Sequence, residues 1–287
     1  MLEAFYRLGD NPFRMTPDGR NTFHSHAYLH GKTYLRQALR EGRGIAVVTG
    51  RPGTGKTTLV RDLFFDNDSH QVISNVVTSH LEAEDLLRMM AAGLGLDEDE
   101  LDPDRLFRRL QKALVRRSKR REREVVLVLD EAQHLTAGAI ELISWLVGAR
   151  QGGAFAFQAV LIGQEPLMEL IESREGRLLR DCLNAVYHLD PLTEQETPAY
   201  IHHRLRSVGW EGDPEWEEAL FPLIYQHSEG IPRRVNLIGG RLLLHGALEE
   251  KHRLDAGDGW LVISELLEES LLDPPRRKGG GSGMVYA

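Results

Sequence analysis

A single cysteine, Cys182, stands among the 287 residues, so no intramolecular disulfide can staple the fold, and a reducing compartment is expected. No apolar run approaches the roughly 18–20 residues that a helix needs to cross a bilayer. The N-terminus is too polar for a secretory leader, and a cytoplasmic location is the expectation. Positive charge is also short: 35 Lys+Arg stand against 43 Asp+Glu, for a formal net charge of −8. Such a chain has no global field with which to bind nucleic acid regardless of sequence, although a local basic patch is not excluded. No internal repeat is present. What remains is ordinary for a globular protein, with 41% hydrophobic and 27% charged residues, and the length suffices for one large domain or two modest ones.

Apolar runs at 45–49, 71–77, 125–129, 157–162 and, more weakly, 185–189 predict strands. Helical patterns at 28–40, 81–94 and 104–115 lie before and among them. The five consecutive apolar residues at 125–129 are the pattern of a strand buried on both faces. Strands alternating with helices predict a parallel α/β sheet. After Pro191 no strong strand pattern follows, and helices are predicted at 194–208, 214–227, 232–249 and 259–272. Thr193 with Glu196 three residues later is a capping-box start. The expected organisation is an α/β nucleotide-binding domain over 1–190, a small helical domain over 191–272, and a disordered Gly/Ser-containing tail over 273–287.

The chemistry concentrates in two segments. Gly50-Arg51-Pro52-Gly53-Thr54-Gly55-Lys56-Thr57 matches the Walker A pattern between a predicted strand and a predicted helix. Its glycines let backbone N–H groups converge on phosphate oxygens at a helix N-terminus. The expected nucleotide-binding set is Gly50, Pro52, Gly53, Thr54, Gly55, Lys56, Thr57 and Thr58, with Lys56 on the β- and γ-phosphates of ATP. The apolar strand ending in Asp130-Glu131 supplies the second half. Thr57 and Asp130 are the expected Mg²⁺ ligands, and Glu131 is placed to polarise a water. The adjacent Glu favours ATP hydrolysis over nucleotide sensing. Gln164, after the strand at 157–162, either positions that water or is a turn glutamine. Arg233, opening a helix of the second domain, either reports the γ-phosphate or is solvated.

These segments, with Ala132-Gln133-His134-Leu135, Gly163-Gln164 and Gly230-Ile231-Pro232-Arg233-Arg234-Val235-Asn236-Leu237, resemble the ExeA/GspA group of bacterial AAA+ ATPases. So do Phe5-Tyr6, Asn11-Pro12-Phe13, Thr16-Pro17-Asp18, Tyr187-His188-Leu189 and Pro191-Leu192. Relatives include MshM-type pilus ATPases and those beside exopolysaccharide and exosortase loci. The resemblance spans about residues 5–250. It implies a P-loop NTPase (AAA+) core with a helical lid, Gln164 as sensor 1, Arg233 as sensor 2, and a homo-oligomer holding ATP at subunit interfaces. It also implies a protein partner in cell-envelope secretion, pilus or polysaccharide machinery. The chain's length suggests the soluble, ATPase-only members. One departure matters: many relatives carry Leu-Arg-Gln-Arg-Ile where this chain has Leu179-Arg180-Asp181-Cys182-Leu183. If the replaced arginine is the trans-acting finger, Arg180 or Arg177 serves instead, or turnover is slow.

Other signals carry less. The basic run 116–123 could touch DNA phosphates or an anionic membrane, but in an acidic chain it reads first as a solvated helix end. His24, His26 and His30, and the pair His202-His203, have no Cys or acid cluster to complete a metal site. Cys182 has no partnered base and reads as a packing residue. Two alternatives stand beside the envelope-assembly ATPase: a DNA-associated regulator like the TniB and TnsC group of transposition, and a nucleotide-gated scaffold with little turnover. Nucleic acid is the secondary partner class.

Overall fold

The computed structural model describes residues 2–15, 22–40, 44–64, 70–76, 81–96, 102–119, 124–148, 150–151, 154–155 and 157–274. Thr16, Pro17 and Asp18, residues 120–123 of the basic run, and the tail from 275 onward lie outside the described residues. The elements run α1 (Leu2–Phe5), α2 (His26–Arg40), β1 (Ile45–Thr49), α3 (Lys56–Phe64), β2 (His70–Val76), α4 (Ala83–Gly93), α5 (Pro103–Lys119), β3 (Glu124–Asp130), a 3₁₀ turn at Ala132–His134 and α6 (Ala137–Gly148). Next come the short β4 (Arg150–Gln151) and β5 (Ala154–Phe155), then β6 (Phe157–Ile162), α7 (Glu165–Glu172), α8 (Arg177–Asp181) and β7 (Leu183–His188). The remainder is α9 (Glu196–Arg206), β8 (Glu215–Trp216), α10 (Leu220–Ser228), α11 (Pro232–Leu248), β9 (Arg253–Leu254) and α12 (Ala256–Glu268). Among the described residues no helix is long and apolar enough to cross a membrane.

The chain divides into two compact units, His26–Asp190 and a second made of Met1–Ser25 with Pro191–Ala287. In the first, a five-stranded sheet has the order β2-β3-β6-β1-β7, and every neighbouring pair is parallel. The continuous apolar runs follow from burial on both faces. On one face Ile45, Val47, Val125, Leu127, Leu129 and Leu161 pack with Leu86, Leu106 and Ile140 of the flanking helices. On the other, Ala46, Val48, Val126, Val128 and Val160 pack with Leu35 of α2 and Leu59 of α3. Edge strand β7 is only partly covered, which explains its weaker pattern.

The predicted strands are present with end shifts of one or two residues, but helices α6, α7 and α8 lay outside the sequence reading. α6 buries Ala139, Ile140, Ile143, Ser144, Leu146 and Val147, but its exposed positions are Ala137, Gly138, Glu141, Trp145 and Gly148, so no polar stripe marks its outer face.

The helical unit departs from expectation in two ways. Residues 1–25 group with it and not with the α/β unit, because their apolar side chains complete its core: Leu2, Tyr6, Leu8 and Phe13 pack with Trp216, Ile238 and Leu242. Phe13 lies against Gly239, where a Cβ would come within 2.8 Å of the ring. Tyr6 Oη donates to Lys251 O at 2.8 Å, and Arg204 Nε donates to Pro12 O at 2.6 Å. The expected helix at 214–227 instead starts at Leu220, after Glu215–Trp216 pairs in parallel with Arg253–Leu254. The Thr193–Glu196 pair is reciprocal: Thr193 N donates to Glu196 Oε2 at 2.9 Å, and Glu196 N donates to Thr193 Oγ1 at 3.2 Å.

Candidate nucleotide site

β1 ends at Thr49, and the chain passes through Gly50, Gly53 and Gly55, all with positive φ, before entering α3 at Lys56. Gly50 is required twice over: its φ is 151°, and a Cβ there would lie 2.6 Å from Leu189 O. At that point the chain runs where only bare backbone fits. Lys56 is buried, and its Nζ donates to the carbonyl oxygens of Gly50 at 2.9 Å and Arg51 at 3.0 Å. Thr54 Oγ1 also donates to Arg51 O, at 2.9 Å. The ammonium thus sits within the curve of its own loop. Pro52 is exposed, and Thr58 is partly buried in the first turn of α3.

The two motifs meet at a side-chain contact between residues 73 apart in sequence: Thr57 Oγ1 donates to Asp130 Oδ2 at 2.5 Å. Asp130 Oδ1 accepts from Glu131 N at 2.9 Å. Glu131 has a left-handed backbone, φ 55°, as the chain leaves β3 for the 3₁₀ turn. Its Oε2 accepts from Gln133 Nε2 at 2.6 Å and from Gln164 Nε2 at 3.2 Å. Gln164 N donates in turn to Gln133 Oε1 at 3.3 Å. Burial by itself would raise the Glu131 pKa, but the hydrogen bonds from Gln133 and Gln164, with the charges of Lys56 and His134, outweigh it and hold the carboxyl below its ordinary value.

Gln133 had no role assigned from sequence, although it lies within the quoted Asp130–Leu135 motif. Its place depends on Gly163, where a Cβ would come within 2.7 Å of Gln133 Oε1. His188 was likewise unassigned; its Nδ1 lies 3.2 Å from Thr49 Oγ1, at the end of the strand that feeds the loop. Cys182 packs partly buried against the core, and burial, then the charge of Asp181, pushes its thiol pKa up, which disfavours the nucleophilic thiolate.

The two arginines differ from the rest. Arg180 donates from Nη1 to Ile171 O at 2.6 Å and to Ser173 O at 2.9 Å, closing the turn between α7 and α8. Arg233 is exposed on the first turn of α11 in the helical unit, while Arg234 beside it is held by Asp273 at 2.5 Å. The structure thus brings together Lys56, Thr57, Asp130, Glu131 and Gln164; Arg180 is tied to its own turn, and Arg233 belongs to the other unit. A cavity of about 330 Å³ between the N-terminal segment and α9, lined by Asn11, Arg14 and Arg204, contains none of the expected site residues.

The family model described as an AAA domain matches residues 31–171, which hold both motifs. General secretion pathway protein A of Aeromonas hydrophila is 31% identical over 272 residues, covering 93% of this chain. The chain belongs to the ExeA/GspA-like AAA ATPases. It spans about half of that relative, 48% of its length. Solved structures agree in fold. Cdc6p of Pyrobaculum aerophilum superposes with a TM-score of 0.67 at 20% identity, covering 92% of this chain and 74% of that one. The ORC2 protein of Aeropyrum pernix, solved as ADPNP-ADP complexes, gives 0.64 at 15% identity, covering 89% and 71%. RuvB of Thermotoga maritima, a Holliday junction branch migration motor, gives 0.60 at 18% identity, covering 89% and 73%. In this AAA ATPase the site offers a bare backbone loop, an ammonium, a hydroxyl and two carboxylates, a donor set matched to phosphates and a hard cation.

Proposed function

We propose that this chain binds ATP with Mg²⁺ and hydrolyses it at interfaces between copies, driving assembly of a cell-envelope secretion, pilus or polysaccharide export system. The observation that carries the reading is the Glu131 carboxylate, held by Gln133 and Gln164 beside the Thr57–Asp130 pair. The backbone of Gly50, Gly53, Thr54 and Gly55, flanked by Pro52, cradles the phosphates. Lys56 exchanges its two carbonyl partners for β- and γ-phosphate oxygens, and Thr58 supports the first turn of α3. Glu131, ionised because its pKa is lowered, accepts the proton of the attacking water, and Gln164 orients that water.

The Thr57 hydroxyl and Asp130 carboxylate are hard oxygen donors 2.5 Å apart. They suit Mg²⁺, which takes one or two carboxylates together with substrate phosphates. When bound, Mg²⁺ neutralises charge on the phosphate oxygens. Arg233 reports nucleotide state to the helical unit. In trans, Arg180 must give up its bonds to Ile171 and Ser173 to reach a neighbour's phosphate, whereas Arg177 is exposed and has no side-chain partner among the described residues. The envelope role is supported by the likeness to general secretion pathway protein A.

The test is ATP turnover against protein concentration for the wild type, Glu131→Gln, Arg180→Ala and Arg177→Ala. Specific activity should rise with concentration. Glu131→Gln should bind ATP yet lose roughly 10²–10⁴-fold in turnover, and the working arginine should show a loss of about 10³-fold or more. Tight ATP binding without turnover at every concentration would replace the hydrolytic reading with a scaffold.

A further inference from the structure

Helix α5 stands apart electrically. It carries seven Lys/Arg and one acid, Asp104, a charge of +6 in a chain whose total is −8, leaving −14 on the remainder. Leu106, Leu110 and Leu114 are buried in the core of the α/β unit. Arg105, Arg108, Lys112 and Arg116 are exposed. At 100° and 1.5 Å per residue these four fall within an arc of about 80° and extend along about 16 Å of the helix. Lys112 and Arg116 make no hydrogen bond or ion pair with any described residue, and Arg108 Nε reaches only Asp104 O of its own helix, at 3.2 Å. The basic run noted in the sequence begins at Arg116, the last of these four, and its residues 120–123 lie outside the described residues.

We propose that this stripe is a docking surface for duplex nucleic acid, held through the phosphate backbone without base readout. Three observations select this partner. The stripe is linear and mostly arginine, which suits a row of phosphates. Leu106, Leu110 and Leu114 are turned into the core and no apolar side chain of the helix is fully exposed, so the helix offers no apolar face to insert into a bilayer or to stack on bases. The rest of the chain is strongly acidic, and an extended anionic bilayer would repel it at every point of approach, whereas a rod touches only the stripe. α5 leads into β3 at Glu124, the end of that strand opposite Asp130. Its last turns therefore lie away from the phosphate loop, which follows the C-terminal end of a parallel strand. The proposal does not depend on ATP turnover.

The test is anisotropy of a labelled mixed-sequence DNA duplex with the full chain, titrated between about 50 and 200 mM salt. Four phosphate contacts predict a slope of log K on log salt of about −3.6, a loss of roughly 100-fold across that range. Lys112→Gln should reduce the slope by about 0.9. The combined Arg105→Gln, Arg108→Gln, Lys112→Gln, Arg116→Gln variant should lose binding, while replacing the three arginines by lysine should preserve the slope. No duplex binding by the wild type at the lowest salt overturns the proposal, as does an unchanged slope in Lys112→Gln. Stripe-dependent binding to phosphatidylglycerol-containing vesicles without duplex binding also overturns it and assigns the stripe to a membrane surface.

Discussion

Lys56 and Glu131 meet opposite electrostatic demands within one site. The ammonium rests on two carbonyl oxygens, neutral acceptors that a phosphate outcompetes because charge-assisted hydrogen bonds are about twice as strong. Lys56→Ala should therefore weaken ATP binding by roughly 10–100-fold, the equivalent of losing one hydrogen bond to a charged group; calorimetric titration measures it. Glu131 must stay ionised. Its folded-state pKa is depressed, so its contribution to stability is present above the unfolded-state pKa and is lost as pH falls through the folded one. The acid limb of turnover should accordingly lie below the ordinary glutamate range. Replacing both Gln133 and Gln164 by Ala removes the donors that favour the charged form, so that limb should move to higher pH. A pH–rate profile that stays in place would show that these glutamines do not tune Glu131.

Strand β3 carries the acids of this site on a rigid support. Val125, Leu127 and Leu129 face one core and Val126 and Val128 the other, so the strand cannot slip by one residue without burying the wrong set. Leu127 is fully buried, and Leu127→Ala should cost about 2–5 kcal/mol of stability through the cavity it leaves. Denaturant unfolding followed by circular dichroism gives the number. These central strands were legible in the sequence because burial on both faces writes an unbroken apolar run. α6 was not, because its exposed face is mostly apolar or small, with Glu141 the one charge on it, and a helix without a polar face shows no clear period. Gln133 escaped for a related reason: its role depends on the bare backbone of Gly163, thirty residues further along the chain.

At the scale of the molecule, the N-terminal segment shows how local reading fails. Its aromatics are close to α2 in sequence, yet they fill the core of the helical unit, Phe13 packing with Trp216 and Ile238 far along the chain. Phe13→Ala should destabilise that unit by about 3–5 kcal/mol. The unfolding transition of Trp216, which lies 5.9 Å from Phe13 between ring centroids, should report the loss. The α/β unit should be unaffected as long as the two units unfold separately, which hydrogen exchange resolves element by element. Equal loss of protection in β1 and β3 would contradict that separation.

What the sequence determined alone is what short-range chemistry encodes. The phosphate loop needs glycines in fixed order before a lysine, a buried parallel strand needs consecutive apolar residues, and a helix start needs a reciprocal cap such as Thr193 with Glu196. Tertiary structure decided what depends on distant chain segments meeting. It joined Thr57 to Asp130, set Gln133 against Gly163 and drew residues 1–25 into the helical unit. Such contacts arise from packing between elements, and spacing along the chain carries no record of which elements will pack.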